Sequence, residues 1–388
     1  MVLPLRYHIR NVFVRWRATL TTVLGIALVV AVFVVVQSLA VGLEKASGST
    51  GDARNLMIVR RGSMAESGSQ ITREQFRTIQ YAPEIARDAQ GQPLLSVDTM
   101  VIINLPRGGE LKGEANLTLR GISPNGFALR PQVTLTDGRW FEPGHREVVV
   151  AAKLARRFAH MAVGDTIRVG LRDLTVVGHF DGAGSAFDSE AWMSADEVRA
   201  LFNRENYSSI LVRPVDEAAG DQLIARLEAD KRLTVRVLRE LAYYKEQTKT
   251  AAPIKFLGSF LASAMSIGAI FAAMNTMYAS VGARTREIGT LRVLGFRRRA
   301  VLLGFVIEGV LLALLGGCIG VAAAFFWNGK SAGTVSFETF SETVFQLTIT
   351  PQLALKGLLF AGVVGMLGSF LPAWRAARLP VISALKSV

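Results

Sequence analysis

The sequence predicts an α-helical membrane protein with four transmembrane helices and a mixed α/β extracytoplasmic domain. Two observations carry that class. The first is the spacing of charge. Stretches of 26, 28, 21 and 18 residues, between Arg17 and Glu44, Lys255 and Arg284, Glu308 and Lys330, and Lys356 and Arg375, contain no charged side chain. A helix needs roughly 20 mostly apolar residues to cross a hydrocarbon layer about 30 Å thick. Three of the runs clear that length, and the fourth sits at its lower edge. The second observation is where the basic residues lie. The net charge of +13 would invite a nucleic-acid reading in a soluble chain. Here residues 1–17, 284–299 and 375–388 hold 13 Lys and Arg against a single acid, Glu287. Residues 45–254 are nearly balanced, with 28 basic and 26 acidic side chains. Basic clusters flanking apolar runs follow the positive-inside pattern, so nucleic acid is excluded as a partner and membrane lipid takes its place.

The same clusters orient the chain. They place 1–18 in the cytoplasm, a first span at 19–43 and an extracytoplasmic domain with helical stalks at 44–254. A second span at 256–282 and a cytoplasmic loop at 283–299 follow. The third span is 303–327, an outer loop 328–356, the fourth span 357–374 and a cytoplasmic tail 375–388. The alternation closes without contradiction. The first run is longer than the 7–15 apolar residues of a secretory signal, so it reads as a span. Cys318 is the one cysteine. The outer domain must therefore hold together without a disulfide, and about 210 residues can build a core large enough.

Within the outer domain, short β-branched runs predict strands at 55–60, 100–104, 115–120, 147–150, 166–169, 174–180, 209–212 and 234–238. Helices are expected at 72–79, 152–159, 195–202 and 216–227. Thr72 with Gln75, and Ser194 with Glu197, have the spacing of capping boxes. This mixture predicts two small α/β lobes. The Ser/Gly-rich stretch Gly62–Gln70 reads as a mobile loop. From about Leu238 the pattern turns helical and runs into the second span, as the first span runs on through Leu43, giving two stalks.

No catalytic constellation can be assembled from these residues, and the chain is expected not to be an enzyme. His145, His160 and His179 lack ligand spacing, and no nucleophile elbow is present. Gly329-Lys330-Ser331 imitates the end of a phosphate loop, but Ala324 stands where glycine is required and no strand precedes it. No cofactor is therefore expected on this chain, and any ATP would be bound by a partner.

The cytoplasmic loop is more informative. In Arg284-Thr-Arg286-Glu287-Ile288-Gly289-Thr-Leu291-Arg292-Val-Leu294-Gly295, the residues Ile288, Leu291 and Leu294 fall three apart on one helical face. Gly295 is placed to end that helix in a left-handed conformation. The apolar face either rests on anionic lipid or docks into a groove on a cytosolic partner. Two polar residues lie within the spans. Glu308 is near the cytoplasmic boundary, where Arg298 or Arg299 is expected to pair with it. Asn275 is expected to hydrogen-bond between helices. Gly316-x-x-x-Gly320 and Gly365-x-x-Gly368 permit close helix contact.

Ala273-Met-Asn-Thr-Met277 followed by Arg284 through Gly295 resembles the permeases related to MacB and FtsX. So do Leu371-Pro-Ala-Trp-Arg-Ala-Ala-Arg-Leu-Pro380 with Ala384-Leu385, and the approach to the first span at Leu5-Arg6, Arg10-Asn11, Arg15 and Arg17 through Thr21. Gly138-Arg-Trp-Phe141, and Val163-Gly-Asp165 with Val176-Val-Gly178, are similar to that family's periplasmic core domain. The resemblance implies a permease paired with itself or a paralogue and bound to two copies of an ABC ATP-binding subunit. It implies a coupling helix made of Arg286, Glu287, Ile288, Gly289, Leu291, Arg292, Leu294 and Gly295. MacB itself carries a fused ATPase domain that this sequence does not show, so the ATPase is expected on a separate subunit. The expected function is mechanotransmission from ATP hydrolysis to the outer domain, for export or extraction of a substrate with a periplasmic adaptor. The alternative implied by FtsX is a scaffold that activates an extracytoplasmic partner such as a cell-wall hydrolase.

Overall fold

The computed structural model describes residues 16–108, 113–247, 252–335 and 341–380. Arg6, Arg10, Arg15, Ala384 and Leu385 lie outside them. The described residues divide into a helical unit, drawn from 16–41, 253–330 and 347–380, and an outer unit drawn from 42–252 and 331–346. Four helices are long and apolar enough to cross a membrane: Thr19–Gly48, Phe256–Ala283, Arg298–Phe325 and Pro351–Ala377. The first belongs to helix α1, Trp16–Gly48, whose 33 residues rise about 50 Å at 1.5 Å each, more than a bilayer core requires.

The outer unit opens with β1 (Leu56–Arg60), α2 (Arg73–Ile79), β2 (Leu95–Pro106) and β3 (Glu114–Ile122). Then come β4 (Thr134–Gly138), β5 (Glu147–Ala151), α3 (Ala152–Ala155), β6 (Thr166–Val169) and β7 (Arg172–Asp181). It continues through β8 (Glu190–Ser194), α4 (Ala195–Leu201), β9 (Ser209–Val212), α5 (Glu217–Ala229), β10 (Val235–Arg239) and α6 (Glu240–Gln247). The ten strands form one mixed sheet in the order β10-β1-β9-β2-β3-β8-β5-β7-β4, with β6 paired to β7.

Two cores lie along this sheet. One gathers Leu56, Ile58, Ile210, Val212 and Leu223, and the other Leu119, Val149, Val176, Phe180 and Trp192. The expected two lobes therefore share a backbone ladder. Strand β2 joins them, pairing with β9 through Leu95–Asp98 and with β3 from Thr99 onward. The motif glycines are explained by pairing of β4 with β7. Gly138 stands opposite Gly178, and a Cβ on Gly138 would lie 2.2 Å from the Val177 carbonyl oxygen.

Three local expectations are corrected. The capping box at Thr72 forms in full, but the Ser194 side chain makes no cap bond. Glu197 instead accepts from the Arg146 amide at 2.8 Å. Helix α3 stops at Ala155 because the chain turns soon after, with His160 in the left-handed region at φ 57°. The stretch Gly62–Gln70 contains a 3-10 turn, Glu66–Gly68, whose Glu66 is buried.

The chain continues through α7 (Ala252–Ala283), α8 (Thr285–Val293) and α9 (Arg298–Phe325). The loop expected at 328–356 folds into a hairpin, β11 (Ser331–Val335) with β12 (Glu342–Gln346), before α10 (Pro351–Ala377). In α10 the Thr350 side chain accepts from the Leu353 amide, and Pro351 occupies the first turn, where its missing N–H costs nothing. Helices α9 and α1 touch through the expected glycines: a Cβ on Gly316 or Gly320 would meet the carbonyl of Val23 or Ala27 within 2.7 Å.

Candidate coupling site

Helix α8 is nine residues long, too short to be stable by itself, so its packing decides its orientation. Ile288 and Gly289 are buried. Ile288 packs with Met277, Val281, Val301, Phe305, Ala373 and Ala376 of the three adjoining spans. This corrects the expected outward apolar face, because the chain's own helices cover Ile288. Leu291 and Arg292 are half-buried, and Arg286, Glu287, Thr290, Val293 and Leu294 are exposed. Val293 and Leu294, at 62% and 67% exposure, are the apolar residues left for a partner. Val293 was missed in the sequence because it breaks the three-residue rhythm of the stripe.

The C-terminus of α8 is fixed as expected. Gly295 has φ 89°. The Phe296 amide donates to the Leu291 carbonyl at 3.1 Å, and the Gly295 amide to that of Arg292 at 3.2 Å. This is a Schellman closure, which consumes carbonyls that would otherwise be unpaired.

The N-terminus is fixed by an ion pair. Arg284 donates from Nη1 and Nη2 to Glu308 Oε2 and Oε1 at 2.9 and 3.0 Å, and both side chains are buried. The expected pairing with Arg298 or Arg299 does not occur. Ten residues along one helix place Arg298 about 15 Å from Glu308, beyond side-chain reach. Arg284 reaches it from the end of the preceding span. Asn275 is exposed on α7, and the bond between spans is made by its neighbour: Thr22 donates to Thr276 at 2.7 Å.

In the outer unit, a second set of charges joins the segment after α1 to the start of α6. Glu240, first residue of α6, accepts through Oε2 from the Asp52 amide and from Asn55 Nδ2, both at 2.8 Å. Asp52 and Asn55 follow α1, so one carboxylate ties the segment after α1 to the first turn of α6. Glu240 is 0% exposed, and burial pushes its pKa above the ordinary carboxylate value, with Arg130 opposing. Beside it Arg120 bonds Glu66 at 2.9 Å and Glu190 at 2.7 Å, and Arg130 bonds Asp98. Burial raises the Glu66 pKa; the Arg120 guanidinium, together with the Ser209 hydroxyl and Arg130, outweighs it and holds the carboxyl below its usual range. These buried charges were invisible in sequence because each pairing joins segments dozens of residues apart.

Residues 19–230 match the family described as "MacB-like periplasmic core domain", and residues 259–381 match "FtsX-like permease C-terminal". The chain belongs to the MacB- and FtsX-like permease family. It is a membrane protein of that family with an extracytoplasmic domain. Over 238 residues it is 31% identical to "Macrolide export ATP-binding/permease protein MacB" of Hahella chejuensis, covering 58% of this chain and 35% of that one. A Chromobacterium violaceum MacB is 28% identical over 70% of this chain and 44% of its own length. "Uncharacterized ABC transporter permease YknZ" of Bacillus subtilis is 25% identical, with 70% of each chain covered. The chain thus spans between a third and a half of the length of these MacB relatives. Among solved structures, the periplasmic region of MacB from Actinobacillus actinomycetemcomitans aligns with a TM-score of 0.38 at 17% identity, covering 49% of this chain and 90% of that one.

Proposed function

We propose that this MacB/FtsX-like chain is the permease subunit of an ABC-type export complex, and that it passes ATP-driven movement from a separate cytoplasmic ATPase to the outer unit. The observation that carries the reading is α8. It is a short helix clamped to the spans by Ile288 and the Arg284–Glu308 pair, and it exposes Arg286, Glu287, Thr290, Val293 and Leu294 to solvent. A helix held this rigidly transmits a push on its exposed face into α7 and α9. A helix resting on lipid needs no ion pair at its root. In this reading the exposed side of α8, with Val293 and Leu294 as its apolar residues, is what enters a groove on the ATPase.

In this reading two ATP-binding subunits engage two permease chains, either identical or paralogous. ATP is bound and hydrolysed on the partner, and this chain performs no catalysis and holds no cofactor. The positively charged flanks support a cytoplasmic side for α8 and both termini in this reading. The outer unit meets an adaptor or the substrate on the far side. The test is affinity purification from gently solubilised membranes of wild type and Leu294→Asp. Wild type is expected to retain an ATP-binding subunit, and the variant to insert normally and lose it. Equal retention by both proteins would remove α8 from the ATPase interface.

A further inference from the structure

Three stretches of chain lead from the spans into the outer unit: the segment after α1, helix α6 before α7, and the β11–β12 hairpin between α9 and α10. All three touch one eight-residue segment, Gly182–Ser189. From the first, Thr50 Oγ accepts from the Ala186 amide at 2.7 Å and itself donates to Ala46, in the last turn of α1, at 2.6 Å. From the second, the Tyr244 ring meets Phe187 edge-on at 6.0 Å. From the third, Ser189 Oγ accepts from the Val344 amide at 2.7 Å and donates to its carbonyl at 3.2 Å.

The segment is built to hold a shape. The Asp188 carboxylate accepts from the amides of Gly182 and Gly184 at 2.8 and 3.0 Å and from Lys153 at 2.6 Å. Ala183 sits at φ 55°, a left-handed conformation that a residue with a Cβ keeps only when its surroundings impose it. The next residue, Glu190, opens β8, the strand between β3 and β5, and carries the Arg120 ion pair. The hairpin is further fastened by Glu342, which is buried and paired with Arg107 at 2.9 Å and with Arg157.

We propose that Gly182–Ser189 is a joint at which displacements of both stalks and of the hairpin are combined and delivered to β8. The direction of use, from membrane to outer sheet, rests on the transport reading; the coupling between arms does not. Coupling of this kind is reciprocal, so loosening any one arm must loosen the others through the segment.

The test is hydrogen exchange followed by mass spectrometry on the full chain in lipid nanodiscs, without any ATPase. Glu342→Gln unfastens the hairpin at a site that touches neither stalk. It is expected to raise exchange at 342–346, at 182–189 and at 50–55 by about fivefold, the change that one hydrogen bond of net worth makes. Thr50→Val acts from the opposite arm and preserves volume, and it is expected to raise exchange at 342–346 in return. A rise confined to the mutated arm overturns the proposal. So does a rise spread evenly over β1, β9 and β10, which marks general destabilisation. Because no ATPase is present, absence of an ATP-binding partner in the purification above leaves this result standing, and failure here leaves that interface untouched.

Discussion

Arg284 and Glu308 meet through both guanidinium nitrogens and both carboxylate oxygens, and this one pair fixes the turn between the second span and the helix leading to the third. The contact closes a loop of 24 residues, so α8 cannot tilt without parting two buried charges. Removing one partner of such a pair typically costs about 3–5 kcal/mol, because the remaining charge stays buried and unmatched. Glu308→Ala is therefore expected to lower the melting temperature of the detergent-solubilised protein by many degrees. Replacing both residues, Arg284→Met with Glu308→Leu, should recover most of that loss. A Glu308→Ala melt equal to wild type would show that the pair does not hold the turn.

The membrane part was largely legible because it rests on a one-dimensional property, the length of an uncharged run. Eight strands were likewise visible as β-branched runs. The two strands of the sheet that escaped notice are β4, Thr-Leu-Thr-Asp-Gly, and β8, Glu-Ala-Trp-Met-Ser. Each carries an acid that reads as a loop residue. In β8 that acid is Glu190, buried because Arg120 neutralises it from another strand. The hairpin of β11 and β12 was hidden for the same reason: buried Glu342 is matched by Arg157, 185 positions away, and by the still more distant Arg107. The stripe Ile288, Leu291, Leu294 was legible as apolar. Which side of α8 the protein would cover was not, since that depends on where α9 and α10 return.

Glu240 and Glu66 titrate with opposite signs. Glu66 has a folded pKa below its unfolded value. Its contribution to stability is complete above the unfolded pKa and is lost as pH falls through the folded one. Glu240 has a folded pKa above its unfolded value. Its ionised form is a penalty at neutral pH, and the penalty fades as pH falls toward the ordinary carboxylate range. Thermal melts of Glu66→Gln should therefore fall below wild type at pH 7 and converge with it in acid. Those of Glu240→Gln should equal or exceed wild type at pH 7, with the difference shrinking in acid. Parallel pH profiles for both variants and wild type would contradict the assigned signs.

Gly51 is the hinge of the same tie. It lies at φ 91°, and a Cβ there would stand 2.7 Å from Glu240 Cγ and Cδ. Gly62 has nearly the same dihedral, φ 87°, with open space around it. Backbone strain of about 1–3 kcal/mol applies to alanine at either position, but only Gly51→Ala also displaces the carboxylate that joins the segment after α1 to α6. Gly51→Ala should melt lower than Gly62→Ala and expose the amides of Asp52 and Asn55 to exchange. If the two variants are equally stable, the contact with Glu240 has no energetic weight.

Asn275 presents its amide from the exposed side of α7, beside Gly268, Ala272 and Ala279, all exposed as well. An amide left facing hydrocarbon forfeits its hydrogen bonds, whereas a partner helix approaching over small residues supplies them, worth about 0.6–2 kcal/mol in membranes. In the proposed complex that partner is a second permease chain. The exposed leucines of α10, such as Leu359 at 62%, need only lipid. In a Cys318→Ala background, Asn275→Cys is expected to cross-link into a dimer on mild oxidation of native membranes, and Leu359→Cys is expected not to. Cross-linking at Leu359 alone, or at neither site, would assign this face of α7 to lipid and leave the Asn275 amide to be satisfied by water.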